Sequence, residues 1–292
     1  MWWIGLGVLM KNSLAADPWM APSMAAGGVT RANPTSMGAI LTSPATLALT
    51  PRYEIALGGR LGSSKVRRVE AAATDSSTGP LTLGLMYLRE GASFEATPDE
   101  LPGWLTPDQD TINPYTESTV GGGLAMSWLN RHLSAGIGGR FTRYASRFAE
   151  QSDTYAFNAS VAGQIDEQVF IALTGENLYS TDSSDALKVG TGLRWQPPRR
   201  DNSGTSALGI ETDLVAVLGE EAMLSDIHLG LEVRPSPFVP IRMGLHRDQL
   251  SGSDAVTAGL GAGTEEAMFE YAARLQTSTW AHSHSLSLRF FL

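Results

Sequence analysis

Alternation of apolar and polar residues along nearly the whole chain is the feature that most limits its possible folds. Between residues 53 and 61, Tyr53, Ile55, Leu57 and Leu61 occupy alternate positions, and charged or small residues lie between them. Successive side chains of a β-strand point to opposite faces, so this segment is predicted to be a strand with one apolar and one polar face. The pattern recurs up to the C terminus and predicts about fourteen strands of roughly 8–12 residues, the number and length typical of outer-membrane barrels.

Two all-β architectures show this alternation, and the lengths of the connections favour one of them. In a soluble β-sandwich the polar faces would contact water, whereas in a membrane barrel they would face the lumen. If the first strand rises from the periplasm, the periplasmic turns are mostly tight and the outer connections are longer, above all residues 90–117. The other outer connections are expected at residues 143–153, 176–186, 218–225 and 246–254. Long outer and short inner connections are typical of outer-membrane barrels. We therefore predict an all-β fold, a transmembrane antiparallel β-barrel in the bacterial outer membrane.

Composition excludes several classes of function. The formal net charge of -9 argues against a nucleic-acid partner, because phosphate binding needs a basic surface. The chain has no cysteine, which excludes disulfides, zinc–thiolate sites and a cysteine nucleophile. No G-x-S-x-G, H-E-x-x-H or P-loop motif occurs. A Ser-His-acid site on the barrel stays open at this point, because such sites are recognised by geometry. We expect a protein that is not an enzyme and has no cofactor.

The N terminus carries a candidate export signal. The apolar run from Trp2 to Met10 is too short to cross a bilayer as a helix. Small residues at Ser13, Ala15 and Ala16 suit cleavage by signal peptidase, so residues 1–16 are predicted to be a signal peptide. A buried N-terminal strand or helix is the alternative. The remaining chain is predicted to divide into a plug, residues 17–50, and a barrel, residues 51–292.

The predicted plug is rich in Ala, Gly, Ser, Thr and Met between residues 25 and 49. Small side chains let a backbone pack closely inside a barrel, and Pro34 and Pro44 prevent one long helix. The candidate ligand-contacting residues are Met37, Ile40, Leu41, Pro44 and Leu47. The alternative is that these side chains only fill the lumen.

Charged residues on the polar faces of the strands are predicted to lie in the lumen. The main ones are Glu211, Asp213, Glu232, Arg242, Glu270 and Arg274. They either line a polar path or pair with one another to fix the interior. His282 and His284 share one face of a strand, but no third ligand lies nearby in the sequence, so no metal site is predicted.

Four segments resemble one family of outer-membrane proteins. Residues 43–59, SPATLALTPRYEIALGG, resemble the NPAGLA motif and first strand of the FadL-like family, including its PorV-type branch. Residues 172–195, 228–248 and 268–290 resemble later motifs of that branch, in the same order. Two positions differ: Ser43 stands where the family has Asn, and Glu270 where it has Asp.

The resemblance implies a monomeric barrel with an N-terminal plug in its lumen. Fatty-acid transporters of this family pass hydrophobic compounds from an outer groove to a lateral opening in the wall. Members of the PorV-type branch instead hold protein partners in secretion or surface assembly. The expected partners are therefore outer-membrane lipids, together with either a hydrophobic small molecule or the protein subunits of a surface complex. Transport is the first prediction, and the charged lumen and modest chain length favour the second.

Overall fold

The computed structural model describes a single closed barrel that surrounds residues 20–50. The described residues are 20–62, 66–92, 115–146, 151–166, 168–182, 185–197, 207–218, 223–250 and 252–292. The predicted signal peptide and most of the 90–117 connection lie outside these ranges. No helix within them is both long and apolar enough to cross a membrane.

Fourteen antiparallel strands are present in the described residues. They are β1 Tyr53–Gly62, β2 Val66–Asp75, β3 Leu81–Ala92, β4 Tyr115–Trp128, β5 Leu133–Ser146, β6 Ser152–Gln164, β7 Val169–Ser180, β8 Leu187–Trp195, β9 Ala207–Leu218, β10 Met223–Ser236, β11 Val239–Asp248, β12 Ser253–Gly263, β13 Ala267–Gln276 and β14 His282–Phe291. Each strand pairs with its neighbours in sequence, and β14 pairs with β1 to close the sheet. The predicted fold class and the strand number are confirmed.

The sheet closes because its apolar face contacts lipid and its polar face must be enclosed. Leu57 and Leu61 on β1 are 50% and 60% exposed on the outside, whereas Glu54 and Ala56 are fully buried on the inside. The apolar face therefore lies outward and the polar face inward, the reverse of a soluble β-protein. Such a wall suits a lipid surface, where an open sheet edge would leave backbone groups without partners.

Several outer connections are shorter than predicted. The connection expected at residues 176–186 begins only after Ser180, and the one expected at 218–225 reduces to residues 219–222. Strands accordingly reach 14 residues in β4, β5 and β10. The prediction was wrong because register shifts opposite Asn158 and between Leu224 and Asp226 interrupt the regular alternation, whereas backbone pairing continues beyond them. Strand β3 ends at Ala92 and β4 begins at Tyr115, at the end of the barrel opposite Tyr53 and Phe291; we call that end the outer end and the other the periplasmic end.

Residues 20–49 lie inside the barrel and are almost entirely buried. They contain three short helices, α1 Ala21–Ala25, α2 Ala39–Thr42 and α3 Pro44–Leu47. Helix α1 contacts β11–β14, while α2 and α3 contact β4–β6 on the other side. We refer to residues 20–50 as the plug. It spans the lumen from one side of the wall to the other.

Replacement of Leu231 by Arg tests the facing of the wall. Leu231 pairs with Ile210 and Met243, and it alternates with Glu232, which faces the lumen. A cation near the middle of the lipid face should lower the free energy of unfolding by about 2–4 kcal/mol. Leu81→Arg, at the periplasmic start of β3, is the matched control and should cost only about 0–1 kcal/mol. Urea unfolding in lipid vesicles measures both, and equal costs would contradict the assigned depth.

Candidate functional site in the barrel lumen

Glycines on the inner face of the wall let the plug backbone lie directly against it. A Cβ on Gly84 of β3 would meet Ile40 Cγ1 at 2.9 Å. A Cβ on Gly123 of β4 would meet the Ile40 carbonyl oxygen at 2.9 Å and Pro44 Cβ at 3.0 Å. A Cβ on Gly138 of β5 would meet Pro44 Cγ at 3.0 Å. The glycine-rich β3–β5 wall is therefore a seat for α2 and α3.

The opposite side of the plug makes an equally close approach. Gly27, which follows α1, has a φ of 76°, a conformation that favours glycine. A Cβ there would meet the carbonyl oxygens of Leu229 and Leu245 at 2.7 Å. The plug thus touches β10 and β11 as closely as it touches β4, so it fills the lumen at this level.

The predicted ligand-contacting residues come together in one apolar cluster. Met37, Ile40, Leu41 and Leu47 are all buried, and Pro44 lies beside them against the wall. The same cluster contains Met20 of the plug and the wall residues Ala56, Ala72 and Met86. These side chains pack against one another and against β1–β5. Their contact with a ligand stays a prediction.

Polar wall side chains pair with backbone groups that the short helices leave free. Ser134 of β5 donates a hydrogen bond to the Ala45 carbonyl at 2.7 Å, and the Ala45 N–H donates to Ser160 Oγ of β6 at 3.0 Å. Asn158 Nδ2 donates to the Leu41 carbonyl at 2.5 Å. Buried backbone groups need such partners, so these bonds hold α2 and α3 in place.

Eight charged residues form a continuous chain of ion pairs near the periplasmic ends of the strands, with Arg234 attached as a side branch at Glu232, and we call these eight the periplasmic charge network. Its members are Arg52, Glu54, Arg289, Glu270, Arg242, Glu232, Arg194 and Glu211, in order of contact. The shortest links, each 2.6 Å, join Arg289 to Glu54 and Arg242 to both Glu232 and Glu270. Positive and negative groups alternate, so each buried charge is compensated by its neighbours.

The plug is tied into the same charged region. Arg31 forms ion pairs with Glu176 and Asp213. Asp213 also accepts hydrogen bonds from the backbone N–H groups of Thr30 and Arg31, at 2.8 and 3.0 Å. Asn33 donates to Glu211 at 3.1 Å. Glu211, Asp213, Glu232, Arg242 and Glu270 therefore lie in one paired region.

The plug residues that pair with these carboxylates were not predicted from the sequence. Arg31 and Asn33 were not among the candidate residues, although Arg31 is the one charged residue between 20 and 50. A single arginine in an otherwise uncharged segment that is predicted to enter a lumen lined by carboxylates indicates an ion pair with one of those carboxylates. Arg194, which joins Glu211 to the rest of the network, was also missed.

Arg274 lies apart from the network, in the outer half of the lumen. Its guanidinium donates to His246 Nδ1 at 3.1 Å, and His246 Nε2 lies 3.3 Å from Asp226. His228 and His246 stack with ring centroids 4.3 Å apart and an interplanar angle of 6°. Metal-ligand atoms of Asp226 and both histidines lie within 4.8 Å of one another. A metal ion bound by two histidines must lie in the plane of each ring. Two parallel stacked rings have no plane in common, so this arrangement is a hydrogen-bonded cluster and not a metal site.

The other histidine pair lies on the outside of the barrel. His282 and His284 are exposed on β14, and His284 Nδ1 is 2.6 Å from the Tyr271 hydroxyl. Tyr271 and His284 also stack, with ring centroids 6.0 Å apart. The pair therefore has no access to the lumen.

One irregularity interrupts the wall between β6 and β7. Phe157 pairs with Tyr179 and Ala159 with Gly175, so Asn158 lies opposite residues 176–178. Asn177 has a φ of 56°, which asparagine tolerates better than most residues. We call residues 176–178 the β7 bulge.

Two side chains connect the β7 bulge to the plug: Glu176, within the bulge, forms an ion pair with Arg31, and Asn158 bonds both elements. Asn158 Oδ1 accepts the Asn177 N–H at 2.8 Å, while its Nδ2 group bonds the Leu41 carbonyl. Arg140 of β5 donates to Asn177 Oδ1 at 3.0 Å. A displacement of α2 would therefore remove a support of the bulge.

No protein-family model and no curated protein match this sequence. Solved structures do. The toluene transporter TodX of Pseudomonas putida matches with a TM-score of 0.65 at 10% identity, over 94% of this chain and 97% of that chain. The CymD monoaromatic hydrocarbon channel matches with 0.63 at 9%, over 96% and 98%. The Acinetobacter baumannii outer membrane protein Omp33 matches with 0.52 at 11%, over 84% and 100%.

The geometry and these likenesses define the class of protein: a closed outer-membrane β-barrel with an occupied lumen. At these identities the likeness is one of fold. The fold expected from the FadL-like resemblance, and the outer-membrane type of barrel, are confirmed at that level. Membership of the PorV-type branch stays a prediction.

Replacement of Gly123 by Val tests the seat of the plug. The added side chain would meet the Ile40 carbonyl and Pro44, and such overpacking typically costs about 1–3 kcal/mol. We expect faster hydrogen exchange in residues 37–47, with the barrel still closed. Gly122→Val, one residue away and facing outward, is the matched control, and it meets only ordinary contacts at 3.4 Å and beyond. Equal exchange in both variants would contradict the close approach.

Removal of one carboxylate tests the periplasmic charge network. Glu270→Gln leaves Arg242 and Arg289 without a charged partner at that position, and breaking a buried pair costs about 3–5 kcal/mol. The temperature at which the folded band is lost on a gel should fall. Glu266→Gln, in the exposed β12–β13 turn, should change stability by less than about 0.5 kcal/mol. A wild-type melting temperature for Glu270→Gln would contradict the role of the network.

Proposed function

We propose that this protein transports hydrophobic small molecules, such as fatty acids or aromatic hydrocarbons, across the outer membrane. The observation that carries the proposal is the β7 bulge, an irregularity in the β6–β7 pairing next to the apolar side of the plug. Asn158 links the two by one hydrogen bond to each. A molecule that displaced α2 would meet the bulge next.

The distribution of polarity inside the barrel supports a sideways route. Met37, Ile40 and Leu41 give the β1–β5 side of the plug an apolar surface. The β8–β14 side instead carries the periplasmic charge network. A hydrophobic molecule that moved straight toward the periplasm on that side would have to separate buried ion pairs, which is costly. A route through the β7 bulge would cross the single Arg31–Glu176 ion pair instead of the whole network, and it leads to an apolar exterior.

The outer surface beside the bulge fits such an exit. Leu178 in the bulge is 54% exposed and Tyr179 is 60% exposed. Exposed apolar side chains on a barrel wall contact lipid, so a hydrophobic molecule that leaves here stays in an apolar environment. Two of the fold neighbours, a toluene transporter and a monoaromatic hydrocarbon channel, add support for cargo of this chemistry.

A second candidate function is a barrel that holds protein partners in a secretion or surface complex. The plug favours this alternative, because glycine contacts on both sides and the ion pairs of Arg31 anchor it firmly. A lumen filled in this way has no need to open if the barrel acts as a scaffold.

Uptake by whole cells tests the proposal. Cells with an intact outer membrane that express the protein should accumulate labelled toluene or oleate faster than vector-only cells, and should take up a hydrophilic sugar at the same rate. Purification in mild detergent tests the scaffold alternative, because protein subunits held by the barrel would co-purify with it. Stable co-purifying subunits together with unchanged uptake would refute transport and support the scaffold.

Asn158→Leu tests the route. The variant leaves the Asn177 N–H and the Leu41 carbonyl without their partner, and each lost bond of this kind costs about 1–3 kcal/mol. If opening of the bulge limits uptake, the rate should rise about tenfold. Ser160→Ala is the matched control, since it lies on the same strand and face and holds Ala45, away from the bulge. An equal response of both variants, or none from Asn158→Leu in a folded barrel, would exclude the bulge as the exit.

A further inference from the structure

Two exposed arginines occupy matching positions on the outside of neighbouring strands. On β3, Tyr87 is 40% exposed on the outer face, and the next outward-facing residue toward the outer end is Arg89. On β2, Val69 is 61% exposed, and the next outward-facing residue toward the outer end is Arg67. In both strands an arginine therefore lies on the outer-end side of the last apolar or aromatic residue of the wall.

Arg67 and Arg89 are close enough to act on one ligand. Arg89 pairs with Val69 across the β2–β3 ladder, and Arg67 pairs with Gly91. The two arginines are thus diagonal neighbours on the same face, with Cα atoms about 7–8 Å apart, a distance that long side chains span.

Other arginines at the same level already have acidic partners. Arg143 of β5 forms two hydrogen bonds of 2.9 Å with Asp153 of β6. Arg247 of β11 lies 3.8 Å from Asp254 of β12. The ion pairs among the described residues include neither Arg67 nor Arg89, so within that part of the chain these two outer-rim cations have no acidic partner.

The nearby carboxylate of Glu90 is not available to them. Glu90 faces the lumen, where it bonds Arg60 at 2.9 Å and Arg68 at 2.6 Å. Neighbouring residues of a strand point to opposite faces, so Glu90 is separated from Arg67 and Arg89 by the wall itself. On a chain with a formal net charge of -9, a doubly positive outward patch stands out.

We propose that Arg67 and Arg89 bind a phosphate group of a lipid in the outer leaflet. Arginine presents several N–H donors in a fixed geometry that matches phosphate oxygens. The patch lies directly above outward-facing apolar residues of the same strands, Leu85, Tyr87 and Val69, which would contact the acyl chains of that lipid. A headgroup phosphate at the arginines and acyl chains on the wall below are the arrangement that a phosphorylated lipid adopts beside a barrel.

Lipid titration of the purified full-length barrel tests the proposal. Diphosphorylated lipid A is added to the protein in neutral detergent, and bound lipid is measured by native mass spectrometry, with dephosphorylated lipid A as the reference. The Arg67→Gln/Arg89→Gln double variant should bind the diphosphorylated form about thirtyfold more weakly. Its binding of the reference lipid should not change.

Two further variants make the test specific. Arg67→Lys/Arg89→Lys keeps both charges and should retain most of the binding. Arg247→Gln removes an outer-rim arginine that already has an acidic partner, and it should bind like the wild type. The proposal is overturned if the double glutamine variant, with wild-type migration on a gel, keeps its affinity. It is also overturned if Arg247→Gln weakens binding equally, or if the reference lipid is lost in parallel.

Discussion

Every backbone N–H and C=O group that crosses a lipid bilayer needs a partner within the protein, and the whole structure depends on this requirement. Strands meet it only when the sheet closes, as β1 and β14 do here over residues 54–62 and 283–291. Closure then fixes what the two faces contact. The apolar positions face outward, and the polar positions are confined to a lumen.

The charged groups that line the lumen need partners inside the barrel, and the wall glycines leave space that must be filled. The plug does this differently on its two sides. On the β3–β5 side the wall glycines admit the backbone of α2 and α3, and Ile40 and Leu41 lie in an apolar cluster. On the other side Arg31 and Asn33 supply partners for wall carboxylates. At the level of the plug, one side of the interior is therefore mainly apolar and the other carries paired charges.

Particular residues show how far sequence reasoning reached. The facing of Glu54, Leu57 and Leu61 followed from alternation, because the side-chain period of a strand is local. The outer ends of β5 and β7 did not, because backbone pairing there continues past the regular alternation, in β7 across the register shift opposite Asn158. Glu211, Glu232, Arg242 and Glu270 were expected in the lumen, but which of the charges on neighbouring and next-neighbouring strands would pair with them was not. Arg274 was grouped with them and instead lies beside His246.

The sequence by itself determined the all-β architecture, the strand number and the direction of each wall residue, since these depend on a two-residue period and on the cost of burying polar backbone in lipid. Only the tertiary structure decided which charges pair, which wall glycines receive the plug, and where the ladder breaks. Those features depend on contacts such as Asn158 with Leu41, which are 117 residues apart. No local pattern encodes an approach of that kind, because both partners must first be positioned by the closed barrel.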